Sequence, residues 1–204
     1  MSTTITGIAG CSQVVDDSIE TADLQDGSVT LIKLASDVTT DSMRMVVASD
    51  QTIGAADTYI DFVNLPTYCS QITINFSGVS TGDASSPIIQ VGTSAGIEVA
   101  SYLSSSSAIN GSTATTAAAC SNGFIVNSIL AANVLYGSYT LTKLDNNSWV
   151  GSGNFRINAT GNAFCGGQSP ILATEIQTIR ITTVLGVTNL APGGIIGITY
   201  GGPL

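Results

Sequence analysis

The stretch Gln71-Ile72-Thr73-Ile74-Asn75-Phe76-Ser77-Gly78-Val79 alternates apolar and polar side chains. Ile72, Ile74 and Phe76 fall on one side of an extended backbone, and Thr73, Asn75 and Ser77 fall on the other. A period of two marks a strand with one buried face, whereas a helix would need its apolar residues three and four apart. Similar segments lie on both sides of it. "YIDFVNL" (59–65) runs to Pro66, a residue disfavoured inside a central ladder. "PIIQVG" (87–92), "IQTIRITTVLG" (176–186) and "GIIGITYGG" (194–202) are short, apolar and bounded by Gly, Pro or Ser. "YGSYTLTKLDNNSWVGSGNFRIN" (136–158) predicts a hairpin turning at Asp145-Asn146-Asn147. The Ser- and Ala-rich stretch 101–123 reads as a long loop with weak strand character. Seven or eight short strands at this spacing predict an all-β domain, a jelly-roll-like β-sandwich over residues 58–204.

Composition agrees with that class. Hydrophobic residues make up 44% of the 204 and charged residues only 9%, far below the usual quarter. Ser, Thr, Asn and Gly replace the missing charge, which suits strands and turns better than helices. The net charge of −9 is uneven. Residues 1–57 are acidic and hold few large apolar residues: Val14, Val15, Ile19, Leu24, the run Val29–Leu34 and Met43–Val47. They predict an N-terminal arm rather than a domain. Within it, Leu31–Ser36 has the makings of one helical turn, introduced by Asp26-Gly27-Ser28 and ended by Asp37. One turn is unstable alone in water, so Val29, Ile32 and Leu34 are expected to be buried against other copies of the chain or a larger assembly.

Several function classes have no support in these residues. Without a basic patch there is no electrostatic footprint for nucleic acid, and the acidic front half disfavours anionic membranes. No apolar run approaches the roughly 18 residues of a spanning helix, so no membrane insertion is expected. "MSTTITGIAG" lacks a basic start and apolar core, so synthesis in the cytosol without export is expected. There is no histidine, which removes His-dependent nucleophilic catalysis and His-bearing metal sites. Cys11, Cys69, Cys120 and Cys165 are far apart and read as small buried thiols. "GSGNF" and "GTSAG" have the wrong spacing for a phosphate cradle and read as turns between strands. A glycosidase needs two facing carboxylates, and the sandwich offers only Asp83, Glu98, Asp145 and Glu175. No enzyme activity, cofactor or metal is expected. Trp149 with Tyr136 and Tyr139 is the candidate aromatic platform for a host glycan; the competing expectation is that the hairpin buries Trp149.

The strands "YIDFVNLPTYCSQITINFSGVST", "SPIIQVGTSAGIEVASYLSSSS", "SWVGSGNFRIN" and "EIQTIRITTVLGVTNLAPGGIIGITYGG" resemble a β-sandwich module of tailed-bacteriophage fibre and spike proteins. "DGSVTLIKLASDV" is similar to segments of phage fibre stalks, which are usually trimeric. The resemblance implies a virion structural protein, a homotrimer exposed on the particle surface. It would be a short tail fibre attached to other virion proteins through the arm and binding the host surface with its knob. The alternative within the same class is a capsid cement or decoration protein. An alternative of another class, a free carbohydrate-binding module, leaves the arm without a role.

Overall fold

The computed structural model describes residues 43–83, 85–110, 113–127, 133–158, 160–187 and 189–203. Arm residues Val29, Ile32 and Leu34, and the helical turn expected at Leu31–Ser36, lie outside the described residues. The described chain is all-β: two antiparallel sheets packed face to face as a sandwich.

The larger sheet has nine strands. Its path runs β1 (Met43–Val47), β14 (Ile195–Pro203), β4 (Gln71–Val79), β10 (Leu135–Lys143), β11 (Trp149–Ile157), β12 (Gly161–Gln168), β7 (Leu103–Asn110) and β8 (Thr113–Cys120), with β2 (Gln51–Thr52) also pairing with β14. The smaller sheet orders β3 (Ile60–Phe62), β13 (Thr178–Thr183), β5 (Pro87–Thr93) and β6 (Gly96–Ile97), and β9 (Phe124–Ile125) pairs with β5. The alternation of 71–79 does what it predicts. Ile72, Ile74 and Phe76 are buried, and they join Tyr139, Leu141, Trp149, Phe155, Ile179 and Ile181 in one continuous core.

Three expectations need correction. The domain begins at Met43 rather than at residue 58, because β1 and β2 pair with β14 through Met43↔Pro203 to Val47↔Thr199 and Ile195↔Thr52. Ile53 is buried in the core, so the short apolar pieces assigned to the arm complete a sheet edge. Second, the stretch expected to be a loop holds two paired strands, β7 and β8, with Ser104↔Cys120 to Ser107↔Ala117 in register and β7 paired on its other side with β12. Just before and along β7 it is Tyr102, Ser104, Ser106 and Ala108 that turn inward. Two of these are serines, each donating or accepting within the protein: the Ser104 and Ser106 hydroxyls accept the backbone N–H groups of Ile125 and Asn127. Inward serines blur the apolar alternation that would announce a strand. Third, Gly151 and Gly153 of "GSGNF" are not turn residues. They lie mid-strand in β11, where a Cβ would fall 2.3 and 2.7 Å from the Tyr139 ring. The glycines leave room for that ring to lie flat on the neighbouring strand. "GTSAG" is a turn as expected, closing β5 onto β6 through Thr93↔Gly96.

Candidate functional site

Because side chains alternate along each strand, the register of the large sheet also defines its outward face. Thr199, Thr73, Thr140 and Ser152 stand side by side across β14, β4, β10 and β11. The Thr73 and Thr140 hydroxyl oxygens are 3.3 Å apart. The next row along the strands is Asn75, Ser138, Asn154 and Phe164, and the one beyond is Ser77, Tyr136, Arg156 and Asn162. In these three rows Arg156 is the one charged side chain, and the Asp50 carboxylate lies over Gly197, the β14 neighbour of Asn75. Aromatic and aliphatic groups are interspersed: Phe164 is 49% exposed, Tyr136 48% and Ile195 40%. A depression of 310 Å³ lies over Thr140, Thr142, Val150 and Ser152. Depletion of charge with retained aromatic groups is the pattern of the central part of a protein–protein contact.

The three aromatic residues singled out in the sequence do not come together on the surface. Tyr136 lies on the outward face, whereas Tyr139 and Trp149 are fully buried. The reason is elementary: positions 136 and 139 of one strand differ by an odd number and so point to opposite faces. The exposed platform is thereby corrected, and the burial expected for Trp149 is observed. Both backbone groups of Trp149 are held by Ser169, the N–H donating to its hydroxyl at 2.9 Å and the carbonyl accepting from its N–H at 2.8 Å. Tyr139 packs against Phe124 with ring centroids 5.5 Å apart.

A second feature, on the small sheet, was not legible in the sequence. Asp61 of β3, Arg180 of β13 and Gln90 of β5 are direct cross-strand neighbours. Arg180 donates to Asp61 through Nε at 2.8 Å and through a terminal nitrogen at 2.7 Å, a bidentate pair. Those hydrogen bonds, ahead of the partner's charge, raise the Arg180 pKa. The guanidinium carbon also sits 4.0 Å from the centre of the Tyr59 ring, in cation–π contact. Tyr59, Arg180 and Gln90, but not Asp61, line a cleft of 250 Å³ together with Val99, Asn122 and the turn Thr183–Gly186. Asp61 and Arg180 are 119 positions apart in the chain, and only the β3–β13 pairing makes them neighbours.

A third depression, of 560 Å³, separates the 83–86 loop from Ala118, Ala119 and Leu185. The carboxylates weighed for hydrolysis are dispersed. Asp83 accepts the Ser85 N–H within its own loop, Asp145 lies in the β10–β11 turn, and Glu175 pairs with Lys143. Cys69, Cys120 and Cys165 are free thiols. Among the described residues no cluster of acidic or thiol groups has the composition of a metal site.

No protein-family model matches this chain, and no curated protein does. Among solved structures, a protein of unknown function from Shewanella oneidensis MR-1 is similar over 84% of this chain and 83% of its own, with 9% identity and a TM-score of 0.28. A likeness at that level bears on neither fold nor function.

Proposed function

We propose that this chain is a non-enzymatic structural protein of a tailed-phage virion, a homotrimeric short tail fibre with a jelly-roll-like knob. The acidic N-terminal segment attaches it to the particle, and the sandwich faces the host surface. The observation that supports this reading most is the outward face of the nine-stranded sheet: broad, nearly free of charge, and carrying exposed aromatic groups among hydroxyls. Such a face gains by contact with copies of itself, because no charged side chain has to be desolvated across most of it. The first described strand, β1, lies at the end of the large sheet's strand order rather than at its centre. A capsid decoration protein is the second reading. It is favoured by the single stalk-like stretch "DGSVTLIKLASDV", where a long fibre would repeat such segments many times.

The test is labelled-antibody electron microscopy of particles that carry the protein, together with the variant Leu34→Asp. The virion reading expects label on the tail tip, or on the shell for the decoration alternative. Leu34→Asp is expected to abolish incorporation while leaving the melting of the knob unchanged. Burying one aliphatic side chain contributes roughly 1.5–3 kcal/mol, and an unpaired carboxylate in its place reverses the sign. Normal incorporation of Leu34→Asp would show that attachment does not use this segment. Absence of label from purified particles would refute the virion role.

A further inference from the structure

We infer that the small-sheet cleft binds a carboxylate group, held on the free edge of the Arg180 guanidinium. The inference goes beyond the virion reading and does not depend on it.

A guanidinium is planar and carries five N–H groups in a fixed arrangement. Two of its edges are forks of parallel N–H groups, and each fork matches the two oxygens of a carboxylate. In Arg180 the fork made by Nε and Nη2 is taken by Asp61, at 2.8 and 2.7 Å. The second fork, Nη1 with the remaining N–H of Nη2, has no partner among the described residues. Arg180 lines the cleft and Asp61 does not. The occupied edge is therefore turned away from the opening, and the free edge is the one the cleft can offer.

The surroundings fit an anion. Among the described residues that line the cleft, Arg180 is the one charged side chain; Gln90, Asn122, Thr182 and Thr183 are polar and neutral. A carboxylate entering there meets the guanidinium first, with Asp61 behind it. That pairing acts in two opposed ways. It subtracts part of the attraction, and it fixes the guanidinium before any ligand arrives. The Tyr59 ring, whose centre is 4.0 Å from the guanidinium carbon, fixes it further. The neighbouring lining is equally ordered: Gln90 donates to the Asn122 carbonyl at 2.7 Å, and Asn122 donates to the Val184 carbonyl at 2.9 Å. Groups already held by the protein lose little freedom on binding.

Charge and size narrow the ligand. One guanidinium already shared with Asp61 suits a singly charged, planar group. A phosphate dianion would bring a second negative charge close to Asp61, with no other cation lining the cleft to offset it. The volume of 250 Å³ lies just under the range for drug-sized ligands. It suits a small organic acid or one acidic sugar ring.

The experiment is an NMR titration of the full, isotope-labelled chain at constant ionic strength. It follows the Arg180 Nε–H and the backbone amides of Thr182 and Gly186. The probes are acetate, methyl glucuronide, methyl glucoside and inorganic phosphate. At least one of the two carboxylates is expected to give a saturable shift with a Kd of about 1–10 mM, and the uncharged glucoside none. A response to acetate points to free acids and a response to the glucuronide alone to an acidic sugar; both support the inference. Arg180→Lys keeps the charge but loses the fork, and should weaken binding at least about tenfold. Because it also loses the bidentate contact with Asp61, Val99→Glu serves as a second variant. Val99 is exposed at the cleft, so the new carboxylate should weaken binding about threefold without changing the melting of the domain. No saturable shift with either carboxylate at about 50 mM would overturn the inference. An equal response to the glucoside, tighter binding of phosphate, or unchanged affinity in both variants would do the same. The assay uses free protein, so its failure leaves the particle-labelling result standing, and failure of the labelling leaves the cleft standing.

Discussion

Replacing Tyr139 by Phe should make this protein more stable. The Tyr139 side chain is fully buried, and its hydroxyl has no hydrogen-bond partner. Burying a hydroxyl unpaired costs about 1–3 kcal/mol on protein mutational scales. Tyr139→Phe removes that cost and keeps the contact with Phe124, whose ring centroid is 5.5 Å away. Against it stands the small void left by one oxygen, worth a few tenths of a kcal/mol at about 24 cal/mol per Å³ of unrelaxed cavity. The balance is a gain of about 1 kcal/mol, which in a chain of this size raises Tm by about 2–4 °C. Tyr102 is the matched control. It is as deeply buried, but its hydroxyl accepts the Val91 N–H at 2.9 Å and donates to the Glu98 carbonyl at 3.1 Å. Tyr102→Phe therefore orphans a buried amide and should cost about 1–3 kcal/mol. The assay is urea unfolding of the three proteins followed by the fluorescence of Trp149, with calorimetry for Tm. The same substitution should give opposite signs at the two sites. A loss of stability in Tyr139→Phe comparable with that in Tyr102→Phe would show that the Tyr139 hydroxyl is satisfied after all, and the reasoning would fail.

Other consequences are equally open to measurement. If the outward face of the large sheet joins three copies, light scattering should give about three times the 20.7 kDa chain mass. Phe164→Asp should then lower it to the monomer with a Tm shift of only a few degrees; an unchanged trimer would move the interface elsewhere. Burial pushes the Cys69 thiol up to about 11 and the Cys165 thiol up to about 12, both from 9.0. The folded state thus favours the protonated thiols. The associated stability is fully present below pH 9.0 and is lost as pH rises through about 11 to 12. Urea midpoints at pH 8 and pH 10.5 should show the decline, and Cys69→Ala with Cys165→Ala should flatten it.

The alternation of 71–79 was readable because its inward residues Ile72, Ile74 and Phe76 are large and apolar while Thr73, Asn75 and Ser77 point outward, and the hairpin 136–158 was readable from its Asp145-Asn146-Asn147 turn between two strand-like runs. The edge formed by Met43–Val47 was not, since five residues flanked by acidic sequence carry no sign of a strand paired with residues 199–203. The strand Gly161–Gln168 was passed over for a related reason. Gly, Ala and Cys occupy its inward positions 161, 163 and 165, small residues that fill the space beside Phe155 and Ile157 without raising local hydrophobicity. In β5 every residue is buried, so no alternation survives there and only length and flanking residues mark the strand. The Tyr59–Arg180–Asp61 cluster depends on pairing between distant segments, which one sequence cannot supply. The odd spacing of Tyr136 and Tyr139, by contrast, was in plain view and already placed them on opposite faces.

The position of β14 also bears on the order in which the protein can be built. It lies between β1 and β4, yet it follows the other strands along the chain. As the chain emerges from the ribosome, the β10–β11–β12 meander can assemble from consecutive strands onto the earlier β4, whereas β1 has nothing to pair with until residues 195–203 arrive. The nascent domain thus carries two unsatisfied strand edges for most of its synthesis, at a typical pace of about 5–20 residues per second. Any product that stopped before Ile195 would keep them indefinitely. Insertion of β14 closes both at once, joining the first described strand to the rest of the sandwich in the same event.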